Sequence, residues 1–303
     1  MRSRWLIAGC RGQLGYAMGR RLAEDPECEV VAAVDLPEVD LADAQSVEKL
    51  FEELDSAPPD VVVNTAAFTQ VDRCEREPEA ARRNNTLAPA LLAQACEKRG
   101  IRLVHVSTDY VFAGDSQTPY TEQDEPSPRS VYGRSKLEGE RRVQATAPGS
   151  LIVRTSWLFG RGRNFIAAIL AQAKQRRTGE ASGPLRVVDD QYGRPTYAHD
   201  LAGAMIGLLE RGASGLYHVA NREVASWWEL ARTCLDAAGY EDLSVERIRT
   251  DELNLDAPRP TWSVLDCSKA EALGVTLRSW RDAVSAYLAS EDSPIVNGRR
   301  GCW

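Results

Sequence analysis

Near-continuous apolar runs alternate with amphipathic stretches through the first half of the chain. Trp5-Leu6-Ile7-Ala8, Glu29–Asp35, Asp60–Asn64, Arg102–Ser107 and Leu151–Thr155 have the composition of strands buried on both faces. Helical spacing separates them, at Tyr16–Glu24, through Val47, Leu50, Phe51 and Leu54, from Glu79 to Lys98, and from Tyr132 onward through Val143. Asp40-Leu41-Ala42-Asp43 leads the second helix, Pro58-Pro59 ends it, and Gly100 closes the third, which carries Asn85, Leu91, Leu92 and Ala95. Strands alternating with helices in this way predict an α/β fold built on a doubly wound parallel sheet with right-handed crossovers.

Beyond Gly160 the rhythm loosens. Helices are expected at Asn164–Arg177, His199–Arg211 and Ser226–Ala238, the last closed by Gly239, and short strands at Leu185–Val188, Leu216–Val219 and Ser244–Ile248. The expected organisation is a sheet domain over residues 1–158 and a smaller lobe over 159–292, with one or two elements returning to the sheet. A tail over 293–303, ending in Arg299-Arg300-Gly301-Cys302-Trp303, lacks periodicity and reads as mobile.

Composition narrows the function. A chain of 303 residues with net charge -7 and a pI near 5.3 is a poor binder of nucleic acid or anionic membranes. Seven cysteines (Cys10, Cys28, Cys74, Cys96, Cys234, Cys267, Cys302) show no CxxC pair and no clustering with the three histidines, which predicts free thiols and no structural zinc. The apolar run after Arg4 is too short for a signal peptide, and no stretch approaches the roughly 18 apolar residues of a membrane span, so a soluble cytoplasmic protein is expected.

Two stretches carry chemistry. Gly9-Cys10-Arg11-Gly12-Gln13-Leu14-Gly15 lies at a strand-to-helix turn, where glycines let the backbone approach a pyrophosphate held by the helix N-terminus. A glycine-rich turn without a ligand is the bland alternative. Asp35 ends the second strand about 20 residues on, where a ribose 2′-OH acceptor is expected and NADH is favoured. Arg11 could instead pair with the 2′-phosphate of NADPH, so the preference stays open. Small residues in Thr65-Ala66-Ala67-Phe68 would let backbone pass close to an adenine-ribose. Thr108, just past the fourth strand, could hydrogen-bond a substrate carbonyl, whereas His105 within that strand reads as a core histidine.

Tyr132-Gly133-Arg134-Ser135-Lys136 is the other stretch. A tyrosine and a lysine one helical turn apart form a pair in which the ammonium lowers the phenol from its usual value of about 10, allowing proton exchange near neutrality.

With Asn64-Thr65-Ala66-Ala67 and Ser107-Thr108-Asp109-Tyr110-Val111-Phe112, these motifs resemble extended short-chain dehydrogenase/reductases, which have a Rossmann sheet and a smaller substrate-binding lobe. More narrowly the chain resembles the dTDP-4-dehydrorhamnose reductase family, through Val188-Asp189-Asp190-Gln191-Tyr192-Gly193-Arg194-Pro195-Thr196, Tyr217-His218, Ser226-Trp227 and the run from Arg259 to Asp266, over most of its length to about Leu288. The resemblance implies reduction of a 4-keto group on a dTDP-sugar by NADPH or NADH, with Tyr132 as proton donor, Lys136 holding the nicotinamide ribose and Thr108 polarising the carbonyl. It implies dinucleotide contacts from Gly9, Arg11, Gly12, Gln13, Leu14, Gly15, Asp35, Asp40, Leu41, Ala66, Ala67, Phe68, Tyr132 and Lys136, and substrate contacts from Thr108, Asp109 and Trp157.

Related dehydratases place a glutamate where this chain has Tyr110, so a base for the C5 proton is missing and simple reduction is favoured. In some relatives a divalent ion joins two subunits through acids that include a glutamate at the position of Ala17 here; Asp189 and Asp190 are kept, but no metal is expected, and a homodimer would have to form without one. Pro258 also departs from the arginine more usual in the family, while Arg259 is kept. The alternatives are a reductase for another dTDP-4-keto-deoxysugar, or a non-catalytic subunit similar to the regulatory β subunit of methionine adenosyltransferase. The intact Thr108, Tyr132 and Lys136 weigh against the last.

Overall fold

The computed structural model describes residues 2–295. In chain order the elements are β1 (Ser3–Ala8), α1 (Gln13–Ala23), β2 (Cys28–Val34), α2 (Ala44–Glu53), β3 (Val61–Asn64), α3 (Val71–Arg76), α4 (Pro78–Arg82), α5 (Ala88–Arg99), β4 (Arg102–Thr108), α6 (Val131–Thr146) and β5 (Leu151–Thr155). They continue as β6 (Leu158–Phe159), α7 (Phe165–Arg177), β7 (Leu185–Val188), β8 (Tyr192–Gly193), β9 (Thr196–Tyr197), α8 (Ala198–Glu210), β10 (Gly215–His218), β11 (Ala225–Ser226), α9 (Trp227–Ala237), β12 (Val245–Ile248), α10 (Ser268–Ala272) and α11 (Trp280–Ala289).

A parallel sheet of six strands, in the order β10-β5-β4-β3-β1-β2, forms the frame. The five strands expected in the first half are all in it. Successive side chains leave a strand on opposite faces, and both faces are covered. Ile7, Val63, Val104 and Val153 point into a core with Met18 and Leu22 of α1 and Leu201, Met205 and Leu208 of α8. Leu6, Val62, Leu103 and Ile152 point the other way, against Phe51, Leu92 and Val143 of α2, α5 and α6. That two-sided burial is why the runs of the inner strands β1, β3, β4 and β5 read as apolar without alternation; β2, at the edge, is only partly covered.

The sixth strand comes from the second half. β10 pairs in parallel with β5, and α8 packs on α1, so two elements from the looser stretch complete the sheet and its cover. The rest of that half builds a separate core from Ile166 and Leu170 of α7, Leu230 and Cys234 of α9, Leu185 of β7, and Trp280 and Tyr287 of α11. Helix α11 was not expected. Its Ser279 cap accepts from the Asp282 N–H.

Two expectations are corrected. The long helix from Glu79 to Lys98 is broken into α4 and α5 by a π turn over Arg83–Leu87. Asn85 lies in that turn, accepting from the Phe68 N–H at 2.8 Å and donating to the Phe68 carbonyl and the Ser135 hydroxyl at 3.0 Å each. Its carbonyl is pressed so close to α6 that a Cβ on Gly139 would lie 2.2 Å from it. A regular helix would not bring Asn85 to both loop and α6 at once. The expected mobile tail does not start at 293 either, since Ser293 is fully buried and Ile295 packs on the second core; its remainder, from residue 296 on, lies outside the described residues.

One buried ion pair joins α6 to the sheet. Arg154 on β5 donates to both carboxylate oxygens of Glu140 at 2.9 and 2.7 Å, and both side chains are almost wholly out of water. Glu140→Ala, which leaves a buried guanidinium unpaired, is expected to lower unfolding free energy by about 3–5 kcal/mol in denaturant titration, and Glu140→Leu with Arg154→Met to recover most of it.

Candidate active site

The glycine turn after β1 is held by backbone proximity. Gly9 has φ 84°, and a Cβ there would lie 2.5 Å from the Ala66 nitrogen; one on Gly15 would lie 2.1 Å from the Gly9 carbonyl. Only glycine fits either position. Gly12 caps α1 with no side-chain hydrogen bond, which leaves the N–H groups of the first turn free for an anion. Leu14 itself points into the core and Gly15 is buried, so what they can offer a ligand is backbone. The Gln13 amide donates to the Arg163 carbonyl at 3.3 Å, and its oxygen is buried without a partner.

A cleft of about 440 Å³ opens where the strand order reverses between β1 and β3. Its walls are the glycine turn, Asp35 and Leu36 after β2, Asp40 and Leu41 before α2, and Thr65 through Phe68 after β3. Asn84 and Ala88 add a wall that the sequence did not suggest, brought there by the π turn. In open α/β sheets this reversal is the ligand crevice.

Charge at one end of the cleft is specific. Asp35 accepts from the Arg11 and Leu36 N–H groups, each at 2.9 Å. The Arg11 guanidinium is engaged by Glu38 at 2.6 Å and by the Leu36 carbonyl. Asp40 accepts from the Ala42 N–H at 2.9 Å and pairs with Arg83. Three carboxylates therefore rim this end with two arginines.

The Tyr132 cluster sits at the carboxyl end of β4. Thr108 is in register with Thr155 on β5, its hydroxyl donating to Asp109 at 2.9 Å and accepting from the Tyr110 N–H at 3.2 Å. Helix α6 starts at the Ser130 cap, which accepts from Gly133 N–H at 3.0 Å, and a Cβ on Gly133 would lie 2.1 Å from the Tyr110 carbonyl. That contact brings the Tyr132 ring edge-on to Tyr110, centroids 5.6 Å apart, and its phenol to Thr108. Lys136 donates to the Val106 carbonyl of β4 at 2.7 Å. Thr108, Tyr132 and Lys136 thus converge on one strand end, but they are buried beside the cleft and do not line it.

Electrostatics reverse one expectation. Burial pushes the Tyr132 phenol above its ordinary value, the Thr108 contact opposes this only partly, and the Lys136 ammonium is directed at the Val106 carbonyl and does not offset it. Desolvation, not the neighbouring charge, decides. The phenol is therefore held in its protonated form. Burial also brings Lys136 from 10.5 down to about 8, against the pull of Glu140, and raises Asp109 to about 6. The hydroxyls of Ser107 and Thr155 and one oxygen of Asp109 are buried with no partner, which marks these strand ends as built to receive polar groups.

The other sequence candidates divide. Trp157, two residues past β5, has φ 47° and stacks on Trp227 with centroids 3.7 Å apart and planes 5° from parallel. His105 is a core histidine, in contact with the Asn64 amide at 3.2 Å. Ala17 is buried in the sheet core. Asp189 is engaged by Ser226 and Arg247, and Asp190 by Thr250; among the described residues no group of three acids, histidines or cysteines is arranged to hold a metal ion. Arg259 pairs with Asp72 of α3 at 2.5 Å. The sequence marks Asn85 and Ser107 only as parts of a helix and a motif and not as site residues, and Thr65, whose hydroxyl donates to the Ala8 carbonyl at 2.8 Å, only within the stretch of small residues. For Asn85 a signal existed, since asparagine is a poor helix-interior residue.

Comparison with known proteins gives one consistent picture. The family described as RmlD substrate binding domain matches residues 3–293. A dTDP-4-dehydrorhamnose reductase of Mycolicibacterium smegmatis is 38% identical, over 97% of this chain and 89% of the relative. A probable dTDP-4,6-dihydroxy-2-methyloxan-3-one 4-ketoreductase of Streptomyces antibioticus is 37% identical, over 97% and 99%. The crystal structure of dTDP-4-dehydrorhamnose reductase from Bacillus anthracis in complex with NADP superimposes with a TM-score of 0.88 at 32% identity, covering 95% of this chain and 99% of that one.

Because Lys136 is lower in the folded chain than its ordinary 10.5, its burial costs stability while both states are protonated, below about pH 8, and that cost fades as pH rises toward 10.5. Stability measured by denaturant titration is expected to gain less with pH across this window in Lys136→Met than in the wild type.

Proposed function

We propose, for a chain that belongs to the RmlD substrate binding domain family, that it reduces the C4 keto group of dTDP-4-dehydro-L-rhamnose to dTDP-L-rhamnose, using NADPH. The carrying observation is the convergence of Thr108, Tyr132 and Lys136 at the end of β4, beside a glycine-turn cleft at the strand-order reversal. The residue assignments follow from it. The cradle fits a dinucleotide: Gly9 and Gly15 sit where a Cβ would collide, and the first-turn amides of α1 lack a side-chain cap. When bound, that cofactor supplies the hydride for C4.

The chain's own residues do the rest. Tyr132 donates to the keto oxygen, as does Thr108 once its single hydroxyl hydrogen turns from Asp109 to the substrate, and Tyr132 transfers its proton as that oxygen becomes an alkoxide, a far stronger base than a phenolate. Its raised pKa keeps the proton in place until then. The Lys136 ammonium has two further N–H donors beyond the one on Val106, for the nicotinamide ribose and for the phenolate left on Tyr132. Asp109 and Trp157 contact the sugar nucleotide. Asp35, Asp40, Leu41, Ala66, Ala67 and Phe68 line the adenosine side together with Arg11 and Gly12, and Gln13 and Leu14 contribute from the first turn of α1. The second-half core around α7, α9 and α11 forms the substrate-side lobe. The six described cysteines are free thiols, which supports a cytoplasmic site of action. A second reading, a different dTDP-4-keto-sugar, is favoured by the identity to the Streptomyces antibioticus relative.

Oxidation of NADPH and of NADH, followed by absorbance with dTDP-4-dehydro-L-rhamnose, tests this. Tyr132→Phe is expected to lower kcat by about 10²–10⁴-fold with coenzyme binding retained. No wild-type turnover with either coenzyme sinks the reading, and turnover only of another dTDP-4-keto-sugar selects the second one. Glu38→Gln, which frees Arg11 for a 2′-phosphate, should raise the NADPH-to-NADH ratio of kcat/KM by no more than about fivefold, since an exposed ion pair is weak.

A further inference from the structure

The segment Asp189–Gly193 belongs neither to the cleft nor to the Tyr132 cluster, yet a chain of its contacts leads to one aromatic pair. Asp190 accepts from the Thr250 hydroxyl at 2.6 Å and the Thr250 N–H at 3.0 Å. That hydroxyl accepts from the Gln191 amide at 2.9 Å, and the buried Gln191 carbonyl oxygen accepts from the Trp227 indole N–H at 3.1 Å. Trp227 lies flat on Trp157 at 3.7 Å, braced by Phe165 at 4.6 Å. Asp189 accepts from the hydroxyl of Ser226, the cap of α9, which fixes the backbone beside Trp227. β8 pairs with β11 so that Gly193 faces Ala225, and a Cβ on Gly193 would lie 2.4 Å from the Trp157 ring.

Trp157 needs such support. A bulky residue at φ 47° occupies a sparsely populated backbone region and stays there only when its surroundings hold it. A hydrogen-bonded acceptor locks the Trp227 ring, Trp227 covers one face of Trp157, and the absent side chain at 193 admits its edge.

We propose that Gln191, Trp227 and Gly193 are positioning residues that hold the Trp157 indole in the orientation in which it meets the sugar nucleotide. The proposal rests on Trp157 being a substrate contact. On this reading the Asp-Asp-Gln-x-Gly segment aims a ring on the substrate side and takes no direct part in proton or hydride transfer.

The test uses the full chain with NADPH and the dTDP-4-keto-sugar it turns over. Trp227→Ala is expected to abolish the near-ultraviolet circular dichroism of the stacked indoles and to raise KM for the sugar nucleotide by roughly tenfold or more, leaving the NADPH dissociation constant unchanged. Trp227→Phe, which keeps a flat ring, should restore KM. Gln191→Leu, which removes the indole's acceptor and the amide bond to Thr250 but leaves both rings, is read the same way and serves if Trp227→Ala does not fold. Folded Trp227→Ala or Gln191→Leu with wild-type KM overturns this proposal alone. A wild-type chain that binds no sugar nucleotide in calorimetry overturns the functional reading, and this proposal with it.

Discussion

The site depends on how closely α6 is pressed onto its neighbours. Two glycines of that helix meet backbone carbonyls at distances no Cβ tolerates: Gly133 at Tyr110 and Gly139 at Asn85. The first contact brings Tyr132 to the turn after β4, and the second seats the helix on the π turn. Lys136, between them, reaches the Val106 carbonyl. Three points along one helix thus orient a phenol and an amine without a direct bond between the two side chains. Because packed backbones cannot slide by fractions of an ångström without cost, the pair is preorganised.

Charge on this helix is handled by burial. The Glu140 carboxylate, one turn beyond Lys136, is neutralised by Arg154 through two hydrogen bonds, and it still favours the Lys136 ammonium against desolvation. Arg154 also lies over the Phe112 ring at 5.0 Å and near His218, whose imidazole burial drives down to about 3. The histidine is thereby kept neutral beside a guanidinium. A low-dielectric wall behind the site keeps the polar contacts in front of it strong.

Much of this was legible from residues alone. The inner strands β1, β3, β4 and β5 announced themselves because burial on both faces leaves few places for polar residues, the edge strand β2 by its apolar run alone, and the glycine turn because only glycine admits those approaches. The clustering of Thr108, Tyr132 and Lys136 followed from the places of strand end and helix start. What failed were quantities set by distant partners. Lowering of the Tyr132 phenol was inferred from helical spacing, which says nothing about how deeply the ring is buried or that Lys136 would face a carbonyl. The return of one or two elements to the sheet was expected, but not which: β10 is fixed there by pairing with β5, some 60 residues earlier, which no local pattern encodes. Helix α11 is different: Trp280, Ala283, Val284, Tyr287 and Leu288 have clear helical spacing behind a serine cap, so that signal was present and unused.

The chain crosses between its two cores repeatedly. It leaves the sheet after β5, returns for α8 and β10, and leaves again toward α9 and α11. A fragment cut where the fifth strand ends would expose the β5 edge and strip α1 of the apolar cover that α8 provides. The two halves are therefore interlaced, not appended. Any swing of one against the other must bend several covalent connections together, which favours small shearing adjustments over a single free hinge.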